Sequence, residues 1–273
     1  MRIAHIDGGK AFDWGKTSED YARFRDIYPE EFYEKIVQRG LCTQGQSVLD
    51  IGTGTGVLPR NLYRYDAKWV GTDISENQIF QAKRLSEGME IEYQALSAEN
   101  LEFPDGSFDV ITVCQCFWYL NHEQTAPAFY RMLKPGGRLL FLYMSWLPFE
   151  DPIAQASEKL VLQHNPQWGG KGETVHPIQI PEPYGQYFEM VSHEEYPLQV
   201  PFTRESWNGR IKACRGIGAS LSEQEVAAWE KEHRALLANI APESFTIAHY
   251  GAIAELKRRE KPFDSDLPFS KKI

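Results

Sequence analysis

Residues 48–56 read Val48-Leu49-Asp50-Ile51-Gly52-Thr53-Gly54-Thr55-Gly56. A short apolar run enters three alternating glycines, and a helical pattern follows over Val57 to Tyr65. With no Cβ in the way, such a turn brings backbone close to a ligand. A dinucleotide fingerprint counted from Gly52 needs a glycine at position 57, where Val57 stands. A pyrophosphate also wants bare backbone N–H groups, and Asp50 repels it. A carboxylate there suits a ligand with a cationic head.

The pattern continues on both sides. Pro29-Glu30-Glu31 opens a helix with Phe32, Ile36 and Val37 on its apolar side and Gly40 as its stop. Ser47 to Ile51, Ala67 to Asp73, Ile91 to Leu96, Phe108 to Cys114 and Arg138 to Met144 read as strands. Between them lie helices over Val57 to Tyr65, from Ser75 to about Glu87, and over Gln124 to Leu133. Ser75 and Gln78 have capping-box spacing. This rhythm implies an α/β fold whose parallel sheet is covered on both faces. Asp73 closes the second strand 21 residues after Gly52, the spacing at which an acid binds ribose hydroxyls. The same ligand therefore carries a ribose and a positive charge, and S-adenosylmethionine has both.

After Trp146 the rhythm breaks into a proline-punctuated stretch, with one helix expected over Ile153 to Gln163. Strands are expected again over Phe188 to Leu198 and Phe245 to Tyr250. Helices are expected over Arg204 to Ala213 and from Ser222, with its capping-box partner Glu225, to about Asn239. The tail from Lys257, mixed in charge, is expected to fray. The 273 residues suit one domain, with 1–40 as N-terminal helices, 45–146 as the cofactor core, 147–186 as a cap, 187–256 as the closing strands and helices, and 257–273 as a flexible tail. A net charge of −9 argues against an extended nucleic-acid surface. The N-terminus has no secretory pattern. The longest apolar run, Leu139 to Phe149, is too short to cross a bilayer. Cys42, Cys114, Cys116 and Cys214 make no CxxC pair, so neither a metal nor a disulfide framework is expected, and a reduced cytoplasmic setting is.

Four stretches together carry a resemblance: LDIGTGTG at 49–56, GTDIS at 71–75, SAENLEFPDGSFDVI at 97–111 and LKPGGRLLF at 133–141. They resemble class I S-adenosylmethionine-dependent methyltransferases, in the branch of the ubiquinone/menaquinone C-methyltransferases. The resemblance implies a Rossmann-like seven-stranded sheet of order 3-2-1-4-5-7-6, with strand 7 antiparallel. It places Gly52 and Gly54 against the methionine moiety, with Asp50 behind them and Thr53 and Gly56 completing the loop. Asp73 takes the ribose, Ile74 packs on the adenine, and Ser97, Ala98 and Glu99 face its edge. Relatives often carry Asp where Ser97 stands. Cys114 and Gln115 fall near the sulfonium. Tyr21 and Arg25 look like the lid pair that covers the cofactor carboxylate.

Methyl transfer is an in-line displacement whose donor is already activated, so positioning supplies much of the catalysis. A hydroxyl acceptor must still lose a proton to a base, and Tyr119 and His122 are the candidates. Trp118, Tyr119, Trp146 and Trp168 are expected to line an apolar acceptor pocket. Aromatics make up 13% of the chain, which reads as a large core or, more sharply, as an aromatic-lined pocket for a small molecule. His164, His176 and His193, in or after the loop-rich stretch, read as surface histidines. The expected partner is a small-molecule methyl acceptor, S-adenosylhomocysteine is the product, and the chain is a monomer or homodimer. A methyltransferase of RNA or protein, an NAD oxidoreductase and a non-catalytic nucleoside-binding module stay open as alternatives.

Overall fold

A computed structural model describes residues 1–170 and 172–263. Its strands are β1 (Ser47–Ile51), β2 (Lys68–Asp73), β3 (Ile91–Ala95), β4 (Phe108–Cys114), β5 (Leu133–Trp146), β6 (Phe188–Thr203) and β7 (Ser244–Arg258). They form one sheet in the order β3-β2-β1-β4-β5-β7-β6. The first five run parallel, and β7 is antiparallel to both β5 and β6. The sheet matches the order implied by the motifs.

Both faces are covered, because alternate strand residues point to opposite sides. Val48, Val110 and Leu140 meet α2 (Glu30–Val37) and α3 (Val57–Leu62), whose Phe32, Ile36 and Leu62 are fully buried; α1 (Ser18–Phe24) precedes them. Leu49, Ile111 and Leu139 take the other side, against Phe129 and Met132 of α5 (His122–Met132); α4 (Glu76–Leu85) flanks β3. The rest are α6 (Pro152–His164), α7 (Glu182–Tyr187), α8 (Arg204–Lys212) and α9 (Glu223–Ile240). Among the described residues, no helix is long and apolar enough to cross a membrane.

Several boundaries differ from the sequence reading. Strands β6 and β7 are far longer than expected, because they pair with each other over fifteen residue positions, prolines included. β5 begins at Leu133, directly after α5 ends, and Pro135, Gly136 and Gly137 form an irregularity in its pairing with β4. Ser75 caps α4 by accepting from Gln78 N, but the Gln78 side chain donates instead to Trp14 O at 3.1 Å. The box is thus half-made, and its other half fastens the N-terminal segment. Helix α7 was not anticipated; Tyr184 anchors it with no exposure. The tail does not fray from Lys257. That residue and Arg258 pair in β7, Arg259 N donates to Tyr187 O, and Phe263 N donates to Gln186 O. Residues 264–273 of the expected tail lie outside the described residues.

Segment 147–186 contributes to the core. Ala154, Leu160, Val161 and Trp168 are buried with α8 and α9 residues. Behind α6, His233 on α9 sits between Asn208 Oδ1 and Ser157 Oγ, each 2.9 Å away, and Trp207 Nε1 donates to the same Ser157 oxygen. All four residues are buried, so this is packing rather than a nucleophilic triad. Burial lowers His233 to about 3. The unfolded chain takes up the proton first as pH falls below about 6.5, so this stabilisation is full above that value and lost toward pH 3. Buried Asp50 and Glu158, raised to about 6 and about 7 by burial, act in the opposite sense and mask it in the wild type. The clean measurement is therefore a difference. His233→Gln should gain on the order of 2 kcal/mol relative to wild type between pH 7 and pH 5. Urea denaturation at both pH values tests it; a gap that does not change with pH refutes it.

Candidate active site

A cavity of about 440 Å³ opens at the carboxyl ends of the parallel strands, where open α/β sheets place their ligands. Gly52 follows β1, Asp73 ends β2, Cys114 ends β4 and Trp146 ends β5; all four border it. Segment 14–25 roofs one side. Asn77 and Gln78 of α4 donate to Gly15 O and Trp14 O, and Lys212 of α8 pairs with Asp20 at 3.3 Å. Gly209 of α8 lets this roof come down, because a Cβ there would lie 2.2 Å from the Phe24 ring.

At the β2 end, each Asp73 oxygen accepts one backbone N–H, from Gly54 and from Ser75, both at 2.9 Å. Each carboxylate oxygen keeps a second acceptor site, so the pair forms a fixed fork. Burial raises Asp73, and the two backbone hydrogen bonds oppose the rise. Ile74 beside it is 58% exposed, an apolar platform on the cavity wall. Ser97, Ala98 and Glu99 also border the cavity. Glu99 is already engaged, by the Ser97 hydroxyl and by Asn121 N at 2.9 Å. Tyr21 lies over the glycine loop, 3.4 Å from where a Gly54 Cβ would stand. Arg25 stacks on that ring at 4.6 Å and its Nη2 donates to the Tyr21 hydroxyl.

Three of the expected loop contacts do not reach the cavity. Asp50 is 1% exposed and turns to Thr112, whose hydroxyl donates to it at 2.6 Å. Thr53 is buried beneath the loop and its N–H donates to Thr72 O. Gly56 serves packing: its φ is +73° and a Cβ would meet the Tyr93 hydroxyl at 2.2 Å. Gly56→Ala should therefore destabilise the chain by about 2 kcal/mol, through overpacking and the left-handed backbone. Thermal unfolding checks this, and an unchanged midpoint would contradict it. Gly52 behaves similarly toward Cys116, whose Sγ would be 2.6 Å from its Cβ, yet Gly52 does face the cavity.

At the β4 end, Cys114 donates to the Tyr28 hydroxyl at 3.5 Å, and burial pushes its thiol up to about 12. Gln115 holds a φ of +65°, a strained value for a residue with a side chain, locked by its Nε2 donating to Met144 O at 2.6 Å. Trp118, Tyr119, Trp146 and Trp168 all border the cavity. The Tyr119 hydroxyl accepts from Arg215 at 2.7 Å, and burial raises it despite that neighbour. Arg215 also clasps Asp7 with two bonds, at 2.5 and 3.1 Å. His122 lies outside the cavity, half-buried with Nδ1 3.5 Å from the Tyr184 hydroxyl. It starts α5, and the helix turns it toward α7.

A second cluster, absent from the sequence reading, completes the far wall. The Tyr250 hydroxyl donates to Glu173 Oε1 at 3.1 Å and lies 3.0 Å from His176 Nδ1. That nitrogen also stands 2.7 Å from Thr174 O and 3.3 Å from Glu173 Oε1. Both of those are pure acceptors, so the network assigns the ring proton to Nδ1; Nε2 carries the lone pair and lies 3.4 Å from the same Tyr250 hydroxyl. Burial raises Glu173, and His176 opposes it. The Tyr143 ring lies 6.1 Å from His176, tilted, and 5.9 Å from Tyr250, edge-on. No sequence signal marks this cluster: His176 sits in a proline-rich loop, and Tyr250 is 74 residues away. Among the described residues, no cluster of three His, Cys, Asp or Glu side chains has the makings of a metal site.

Comparison with known proteins agrees with this geometry. A family described as "Methyltransferase domain" matches residues 49–141. The ubiquinone biosynthesis O-methyltransferase of Nitrosococcus oceani is 32% identical over 142 residues, covering 50% of this chain and 59% of that protein. Its namesake from Pseudomonas putida is 30% identical over 165 residues, covering 58% of this chain and 68% of that protein. The chain thus matches less than two thirds of the first relative and slightly more of the second. The solved structure of a phosphoethanolamine N-methyltransferase from Haemonchus contortus, in complex with phosphomonomethylethanolamine and S-adenosylhomocysteine, shares the fold. Its TM-score is 0.52 at 20% identity, over 96% of this chain and 58% of that one. With the glycine loop, the Asp73 fork and the 3-2-1-4-5-7-6 sheet on the same strand ends, the chain belongs to the S-adenosylmethionine-dependent methyltransferases.

Proposed function

We propose that the chain binds S-adenosylmethionine along the ends of β2, β1 and β4 and methylates a hydroxyl of a small, flat organic acceptor. One observation carries the reading. The same cavity is bordered by the Asp73 fork and by His176, whose Nε2 carries the ring's lone pair. The residues suit the cofactor: Asp73 for the ribose diol, Ile74 for an adenine face, and Arg25 for the carboxylate. Arg25 forms no ion pair among the described residues. When bound, S-adenosylmethionine supplies an electrophilic methyl group on its sulfonium.

The chain's own residues then bind, orient and deprotonate. Trp118 and Tyr143, 5.2 Å apart and perpendicular, give a planar acceptor an aromatic wall. His176 takes the hydroxyl proton on Nε2 as the oxygen becomes nucleophilic. Glu173 and Thr174 O hold the ring in its orientation. The relatives' names, as O-methyltransferases, support a hydroxyl acceptor. Net charge −9 weighs against an RNA substrate. All four cysteines are free thiols, which suits a reducing cytoplasm, and we assign the chain there as a monomer or homodimer.

Calorimetry with S-adenosylhomocysteine and NAD, followed by turnover on a panel of phenols and catechols, tests the proposal. Binding of the first nucleoside alone and methyl ether products are expected. Binding of NAD instead, or cofactor binding with methylation of none of the panel, would overturn it.

A further inference from the structure

The cavity contains a charge that neither the cofactor fork nor the base cluster explains. Arg210 of α8 is 3% exposed, yet borders the cavity. It has no carboxylate partner among the described residues. Its Nη1 donates to Cys214 Sγ at 3.0 Å, a weak acceptor, and its Nε has no partner at all. The guanidinium lies 4.7 Å over the Trp146 ring, which holds it in place. His249, packed against Trp146 on the β7 side, is neutral at pH 7, since burial lowers it to about 3. The strongest charge acting on it is Arg25, of the same sign, and the buried Glu158 carboxyl nearby is taken by Trp146 Nε1 at 2.7 Å. Burial and Arg25 lower Arg210 to about 10, which leaves it cationic at neutral pH. A buried, unpaired guanidinium is costly, and an anionic ligand would offset that cost.

We infer that Arg210 is the seat of an anionic group, carboxylate or phosphate, on the methyl acceptor. The inference rests on the methyltransferase reading and adds the class of acceptor. Arg210 and Arg25 are neighbours, with Cys214 beside both, but they stand at different strand ends. Arg25 belongs with Tyr21 above Gly54, beside the glycine loop. Arg210 stands on Trp146 at the end of β5, two strand spacings, about 10 Å, from the β1 end where Arg25 and Tyr21 cover the glycine loop. It therefore shares the acceptor's end of the cavity with Trp146, Tyr143 and His176. A guanidinium matches a two-oxygen acid in a bidentate pair, and a lysine ammonium does not. The acid then fixes one end of the acceptor, so that a hydroxyl at the other end meets His176.

The test uses the full chain saturated with S-adenosylhomocysteine, so that Arg25 is already engaged. Benzoate, phenyl phosphate and neutral benzamide are titrated in turn. At least one of the two anions should bind tenfold or more tightly than benzamide, and the tighter one identifies the group. Arg210→Gln should abolish that preference while changing S-adenosylhomocysteine affinity less than threefold. Arg210→Lys should keep part of it, having the charge without the fork. Equal binding of all three probes by the wild type overturns the inference, and so does a preference that survives in R210Q. A tenfold loss of S-adenosylhomocysteine affinity in R210Q, with the preference intact, reassigns Arg210 to the cofactor. If R210Q does not fold, the wild-type and R210K titrations still decide. Failure of the wild type to bind S-adenosylhomocysteine would sink the methyltransferase reading instead, and titration of the unloaded chain keeps the two failures apart.

Discussion

Replacing His176 with alanine should lower turnover by about 10²–10⁴-fold, the range for loss of a positioned general base. The argument rests on geometry. Nδ1 faces Thr174 O and Glu173, which can only accept, so Nε2 keeps its lone pair. Loss of the ring removes the proton acceptor without touching the Asp73 fork or the glycine loop. S-adenosylhomocysteine affinity should therefore stay within threefold of wild type, and the defect should fall on kcat. An acceptor that is already ionised, such as a nitrophenol above its own pKa, should escape most of it. Steady-state kinetics on a neutral and an ionised phenol measures both. An equal loss on the two acceptors would remove His176 from proton transfer and leave it a packing role.

Asp73→Ala should weaken S-adenosylhomocysteine binding by about 3 kcal/mol, or roughly 150-fold. Two charge-assisted hydrogen bonds to the ribose diol account for most of that loss. The rest follows from Gly54 N and Ser75 N, which lose the oxygens that hold them at 2.9 Å and so loosen the loop. The Ser75 side chain still caps α4, so the fold should survive. Asp73→Asn should fall between, because its amide keeps one acceptor but turns a donor toward a backbone N–H. Calorimetry reads the dissociation constants. A folded Asp73→Ala protein that binds within threefold of wild type would refute the ribose assignment.

The parts of the site that were readable from sequence share one property. Gly52, Gly54, Asp73, Ile74 and Cys114 all sit at strand ends in β-α units, where local spacing determines which residue reaches the cavity. Asp50 was misplaced because a strand's alternation decides its side. It points away from the cavity, to Thr112 on the neighbouring strand β4. His122 was misplaced because proximity in sequence to Trp118 and Tyr119 says nothing about the face of the helix it starts. Arg210 was invisible for a related reason. Among nine residues of α8 with a weakly amphipathic pattern, nothing marks which arginine is buried.

The sequence by itself determined the parallel sheet, its glycine loop and the acid that ends β2. These follow from short-range rules: apolar periodicity, the turn chemistry of glycine, and a fixed distance from strand to strand. The tertiary structure alone decided what stands opposite the cofactor. Arg210 meets Trp146 only when α8 packs beside the end of β5. Glu173 and His176 meet Tyr250 only when β7 runs back antiparallel along β5 and presents that residue beside Ser145. Such contacts join residues from 64 to 77 positions apart. Local patterns carry no record of them, because packing and charge pairing are settled only when the whole sheet has closed.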